Sequence, residues 1–316
     1  MGIGVTAEAA TPAPGAAGPG VAGPGADGAA AGARARRAQR WPATLIAGSA
    51  LLLFFVVIAI AAPLFGNPLH QDLLHGLTRT GLPLGISRAH PLGTDTLGRS
   101  ELARLAYGIR TSLIVAIIAN ITSITVGATV GLLAGFFGGP LETILMRLTD
   151  VGLALPYTLA ALVIAGLMTA GLTRVIVIIT ALFWAYPARL VYGEVLRLRH
   201  RGFVESGEAM GASGLTVVRR HLAPHMFPLL VTYSPLNAAS AVVFEATLSY
   251  LGAGINPPTA SLGNMISDGQ DALSYAPHLL LVPAAAILLI TMSFLLIGEG
   301  LKARNPDLAR VSWLGR

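Results

Sequence analysis

The chain has 316 residues, of which 54% are hydrophobic and only 11% charged, with no cysteine. A soluble domain carries about a quarter charged residues, so a mean hydropathy of +0.69 excludes an ordinary soluble enzyme and points to a polytopic membrane protein. The missing cysteine removes disulfides, thiolate metal sites and a cysteine nucleophile. The formal net charge of +6 reads as basic membrane-flanking loops rather than a nucleic-acid surface, since the arginines sit at membrane edges without an aromatic-interleaved patch.

Residues 1–33 are almost wholly Ala, Gly and Pro, with Glu8 and Asp27 as the only charges. Such a segment has too little apolar surface to offset ordering entropy, so residues 1–40 are expected to be a disordered tail. The Gly18, Gly20, Gly23 spacing matches a nucleotide-binding fingerprint, but no strand precedes it and no helix follows.

Six apolar spans follow. The first, 43–65, lies behind Arg34, Arg36, Arg37 and Arg40, and has eleven Leu, Ile, Val or Phe residues within 43–62. Those residues favour insertion by roughly 3–7 kcal/mol. It is too long for a signal-peptide core, and no small-residue cleavage site follows. An extracytoplasmic or interfacial segment at 66–110 leads to a charge-free run at 111–141. Leu102, Leu105, Ala106, Ile109 and Leu113 recur there at helical spacing beside Arg99, Arg104 and Arg110. Residues 151–173 form the third span. The fourth, 173–193, has only 14 residues between Arg174 and Arg189, so both arginines are expected to snorkel to headgroups. Spans at 229–251 and 278–298 complete an all-α fold of six transmembrane helices.

With the N-terminus inside, the tails and the 189–228 stretch hold fourteen Lys and Arg against six outside. The positive-inside rule therefore puts both termini in the cytoplasm, although the arginines between the first two spans pull the other way. Within the membrane, Glu245 is expected to face protein or a wet cavity, either as a hydrogen-bonded structural acid or on a solute or proton pathway. Arg147 and Asp150, three residues apart, can pair on one helix face. Gly127, Gly131 and Gly135 repeat at four-residue spacing, which suits close helix packing. No phosphate-binding loop, HExxH or GxSxG motif is present, and the seven histidines are scattered. A catalytic centre, metal site or bound cofactor is therefore not expected.

Residues 194–228, EVLRLRHRGFVESGEAMGASGLTVVRRHLAPHMFP, form a long polar loop with a helical stretch, a break at Gly211 and Gly214 and a second basic amphipathic stretch, a helix–turn–helix shape suited to docking in a partner's groove. This loop resembles the EAA loop of binding-protein-dependent ABC importer permeases. Glu205 and Gly211 stand at the glutamate and glycine of that pattern, with Ala212 and Ser213 after them and Pro224 at its proline. Ser206 and Gly207 replace its two alanines, His221 its apolar residue and Ala223 its leucine. Gly207 should loosen the helix by roughly 1 kcal/mol relative to alanine. HPLGTDTLGRSELARLAYGIRTSL at 90–113, EATLSYLGAGINPPTASLG at 245–263 and GEGLKARNPDLAR at 298–310 are similar to motifs of the dipeptide, oligopeptide and nickel group, nearest its C-type subunit. Ser100, Ala253 and Leu262 depart from that group's residues.

The resemblance, covering 43–310, implies a type I ABC importer permease fold with the transmembrane domain at 107–302 and a cytoplasmic tail at 303–316. It implies a non-enzymatic subunit in the bacterial inner membrane, importing di- or oligopeptides, or alternatively nickel or another small solute. A proton-coupled transporter using Glu245 is the contrasting reading. The implied partners are a second homologous permease, two cytoplasmic ATPases that bind the ATP, and an external solute-binding protein. Loop 203–224, through Glu205 to Ser213, would couple to the ATPases, and the arginine-free 252–277 segment would lie outside.

Overall fold

The computed structural model describes residues 42–199, 201–202 and 211–304. Part of the expected coupling loop (Glu205, Ser206 and Gly207), the tail at 1–40 with its glycine fingerprint, and 305–316 lie outside the described residues.

Among the described residues the fold is all-α, with two isolated β-bridges, Leu77 to Pro83 and Thr94 to Ser100. Helix α1 (Ala43–Ala61) continues into a 3-10 turn at Ala62–Phe65. Helix α2 (Glu101–Phe137) is 37 residues long, about 55 Å at 1.5 Å per residue, which exceeds a bilayer with its headgroups. Ser100 starts it, accepting the Ala103 N–H, and Gly138, at φ 68°, ends it. The stretch 101–110 thus belongs to this long helix rather than to a separate interfacial one.

The third span departs from expectation. Helices α3 (Gly139–Ala154) and α4 (Tyr157–Gly166) meet at 96°, so 151–173 is not one straight helix. Pro156 is the cause: it bars α geometry at Leu155, which is extended at ψ 135°. Helices α5 (Leu172–Phe183) and α6 (Ala185–Leu198) form one span, jogged at Trp184.

Helix resumes at α7 (Gly214–Val217), passes through a π-helical turn at Val218–Leu222 and becomes α8 (Ala223–Tyr250). Pro224 lacks the N–H that the turn before it needs, and the wider turn lets Ala223 N–H reach Val218 O instead. The second, basic helical stretch expected in 194–228 is therefore continuous with the next span, and α6 ends at Leu198, before the 199–213 connection. The chain closes with α9 (Leu262–Gln270) and α10 (His278–Arg304). Five stretches are long and apolar enough to cross a membrane, and the bent α3–α4 pair makes a sixth.

Helix α2 is the axis of the bundle. Its glycine stripe lies against α6: a Cβ at Gly131 would fall 2.5 Å from Ala188 O, and one at Gly135 2.8 Å from Val195 Cβ. Close backbone approach is thus what the glycine spacing provides. Ile109, Leu113 and Ala116 of α2 share one buried cluster with Phe55, Val242, Leu262 and Ile290. Residues at the C-terminal end of α2 meet the 199–213 connection, since Arg199 donates to Gly135 O and Gly214 abuts Phe136. Leu45 packs on Gly300, and Leu301 shares a groove with Leu132 and Ala223. Both described chain ends therefore lie at the same end of the bundle as the 199–213 connection.

Candidate functional site

At the C-terminal end of α2, Gly211 adopts φ +79°, a left-handed conformation that favours glycine. Ala212 is half-buried, and Ser213 is extended at ψ 147° with its hydroxyl 2.8 Å from that of Thr216. Leu215, Arg219 and Arg220 lie exposed beside it and with Ser213 line a shallow depression. Val217 and Leu222, rather than the neighbouring His221, are the fully buried side chains here. Pro224 sits in the first turn of α8. A turn at Gly211 followed by a basic helix from Gly214 is as the sequence suggests, while 203–210 before it lies outside the described residues.

The opposite end of α2 holds an ion network that the sequence reading did not assemble. Asp95 Oδ2 accepts from Arg99 Nε and Arg104 Nη1, both at 2.6 Å, and Arg104 Nη2 donates to Asp268 at 3.0 Å. Asp95, Arg99, Glu101 and Arg104 are all buried. The network ties the 94–100 turn to α9. It also eases the tension in the charge count, because two of the five arginines between the first two spans, Arg99 and Arg104, pair with Asp95 and Asp268. The Asp95–Arg99 spacing of four was a visible signal; the 164-residue reach to Asp268 was not.

Glu245 lies fully buried between these ends. Its carboxylate accepts from Ser112 Oγ of α2 (2.7 Å), Ser249 Oγ one turn along α8 (2.9 Å) and Ser261 Oγ before α9 (2.8 Å). Ser261 spends its hydroxyl on Glu245 instead of capping α9. The carboxylate thus joins three elements, which is what a buried acceptor requires. Deeper along α2, Asn237 Nδ2 donates to Asn120 Oδ1 at 2.9 Å and Ser123 Oγ at 3.0 Å, and Asn120 donates to Ser234.

Three arginine expectations need correction. Arg174 does not snorkel to headgroups: it is 7% exposed and donates to Gly254 O at 2.5 Å and to Ala165 O. Its planar fork fits carbonyls left open by the end of α4 and the turn after α8. Arg189 pairs with Asp150 across α3 and α6. Asp150 therefore has a partner on another helix, while Arg147 is exposed on α3. Their spacing allowed a local pair, but the closer packing of α3 on α6 offered Asp150 a second guanidinium.

A family model described as "Binding-protein-dependent transport system inner membrane component" matches residues 127–305. The chain is 36% identical to the dipeptide transport system permease protein DppC of Bacillus subtilis, over 84% of this chain and 82% of that one. It is 35% identical to the glutathione transport system permease protein GsiD of Pectobacterium atrosepticum, over 71% and 75%. To the oligopeptide permease OppC of Bacillus subtilis it is 32% identical, over 83% and 85%. A solved inward-facing MetNI methionine ABC transporter aligns with 66% of this chain and 96% of its own, with a TM-score of 0.53 at 20% identity, a likeness of fold. On the family match and these relatives, the chain belongs to the binding-protein-dependent transport system inner membrane components, as a multi-pass permease subunit.

Proposed function

We propose that the chain is one of two permease subunits of an ATP-driven importer of di- and oligopeptides. The observation that carries this reading is its identity with a dipeptide permease along 84% of the chain. The positions of the loops support the same assignment. The 199–213 connection, both chain ends and the exposed Arg197, Arg219 and Arg220 lie at one end of α2. That end is cytoplasmic in this reading, in accord with the positive-inside rule. There, Glu205 to Ser213 seats in the groove of an ATPase, one of two such subunits that bind and hydrolyse ATP. The 252–277 segment, with α9 and Asp268, lies at the other end, where a solute-binding protein delivers cargo. Glu245 serves as a structural acid, and the chain itself carries no cofactor.

The test is gentle solubilisation of C-terminally tagged protein, with a Glu205→Lys variant alongside, followed by reconstitution of the complex. Copurification of a second permease and ATPases, lost for the ATPases in the variant, supports the assignment. ATP-dependent uptake of labelled dipeptide, not competed by nickel or glutathione, supports the substrate. A chain that purifies alone, or uptake that stops when the proton gradient is collapsed with ATP maintained, overturns it.

A further inference from the structure

Charge at depth separates one face of this bundle from the rest. On α6 the outward positions are Tyr186, Arg189, Gly193 and Arg197, spaced by three or four residues and therefore on one stripe. On α3 the facing positions are Arg147 and Asp150. The side chains of Arg189 and Asp150 remain 45% and 40% exposed although they pair with each other. Arg189 lies nine residues, about 13 Å, inside the end of the 27-residue α5–α6 span. At about 40 Å that span overhangs a hydrocarbon core of about 30 Å by about 10 Å, so that even an overhang wholly at this end leaves Arg189 within the core.

Exposed Arg110 and His225 belong to 37-residue spans, each about 55 Å long, whose overhang takes them clear of a core of about 30 Å. At comparable depth the other exposed faces on the membrane-length helices are apolar or uncharged. Helix α1 presents Leu53, Phe54 and Val57, and α10 presents Leu281 and Leu288. The groove between α2 and α8, of about 550 Å³, is lined mainly by Ile121, Leu132, Phe227 and Leu230. Half-exposed charges are costly against lipid and ordinary against water. Above the ion pair, Tyr186 stacks on Tyr233 of α8 at 5.2 Å, and Phe183 then contacts Tyr157 and Phe244. The stripe therefore runs from a charged mouth at the 199–213 end to an aromatic closure.

We infer that this α3–α6 face is the chain's wall of the aqueous solute path. The Asp150–Arg189 pair is the rung that a zwitterionic solute meets, its ammonium against Asp150 and its carboxylate against Arg189. An adjacent acid and base, both reachable, match the two charged termini of a short peptide. This inference rests on the proposed importer function only for the identity of the solute. The placement of water depends on the face alone.

The cysteine-free chain allows a direct test on the assembled transporter in inside-out vesicles without ATP. Single cysteines replace exposed Arg147 and Gly193, at which a Cβ would meet nothing within 4 Å, and, as controls, Ile121 and Leu288. A membrane-impermeant methanethiosulfonate should modify the first two at least about tenfold faster than the controls, since thiol reactivity follows access and thiolate character. Equal, slow modification at all four, with a cysteine at exposed Leu215 labelled normally, would overturn the path. A dipeptide with free termini should slow labelling at Gly193→Cys, while its N-acetylated amide should not. Protection by both, or by neither, would remove the ion pair from recognition and leave the wet face standing. Failure of copurification alongside preserved labelling would count against the importer reading, not against this one.

Discussion

Alanine at Gly131 and at Gly193 should have opposite effects, although both glycines lie inside helices. Away from tertiary contact, glycine to alanine favours a helix by about 0.8–1 kcal/mol. At Gly193 the added methyl meets nothing within 4 Å, so that gain should appear almost intact. At Gly131 it would lie 2.5 Å from Ala188 O, 2.8 Å from Val191 Cβ and 2.9 Å from Tyr192 N. Two of these neighbours are backbone, so α2 and α6 must separate by several tenths of an ångström along the whole stripe. Overpacking of this kind costs about 1–3 kcal/mol, which outweighs propensity and leaves Gly131→Ala destabilised by up to about 2 kcal/mol. Because Gly127 and Gly135 share the same interface, the double variant Gly127→Ala/Gly131→Ala should cost less than the sum of its singles. The assay is reversible unfolding of purified protein in mixed micelles, followed by tryptophan fluorescence from Trp184 at the interface. A Gly131→Ala protein as stable as Gly193→Ala would refute the close-contact account.

Glu245→Leu should strand the hydroxyls of Ser112, Ser249 and Ser261, at a cost of about 2–5 kcal/mol. Glu245→Gln, which can still accept, should retain most of the stability and the uptake; thermal unfolding and transport of both variants decide it. Arg174→Lys should loosen the α4 end, because a point charge cannot serve carbonyls at Ala165 and Gly254 together. Faster amide exchange at 166–171 with the remaining helices unchanged is the expected readout. At φ +79°, Gly211→Pro is geometrically barred, so the variant should insert normally yet lose ATP-dependent uptake. Undiminished uptake would contradict the coupling role.

Much of the architecture is legible in composition and periodicity, because spanning a bilayer demands apolar length and little else. The spans from 43 and 278, the break at Gly211 and the packing role of the glycine stripe all follow from local pattern. Where the reading fails, non-local partners decide. The bend at Pro156 needed the turn around Leu155, and the fate of Arg174 depended on carbonyls 80 residues away. Asp150 chose Arg189 over nearby Arg147 for the same reason. The serines around Glu245 come from positions 112, 249 and 261, so only folding brings them together. The basic helix after Gly211 was legible in the polar 194–228 segment, because helix propensity persists where hydropathy falls; that it runs on through Pro224 into the next span was not.

The pairing around Asp95 also bears on how the chain is made. A segment exported from the cytoplasm works against the membrane potential for every positive charge it carries, by about 2.3 kcal/mol per charge per 100 mV. Between residues 95 and 104 the chain holds two arginines and two carboxylates, Asp95 and Glu101. With Arg99 only four residues from Asp95, their contact closes locally, without waiting for α9. In the proposed orientation the Asp95–Arg99 pair can therefore cross as an electrically silent unit, and Asp268 arrives afterwards to hold Arg104 in place.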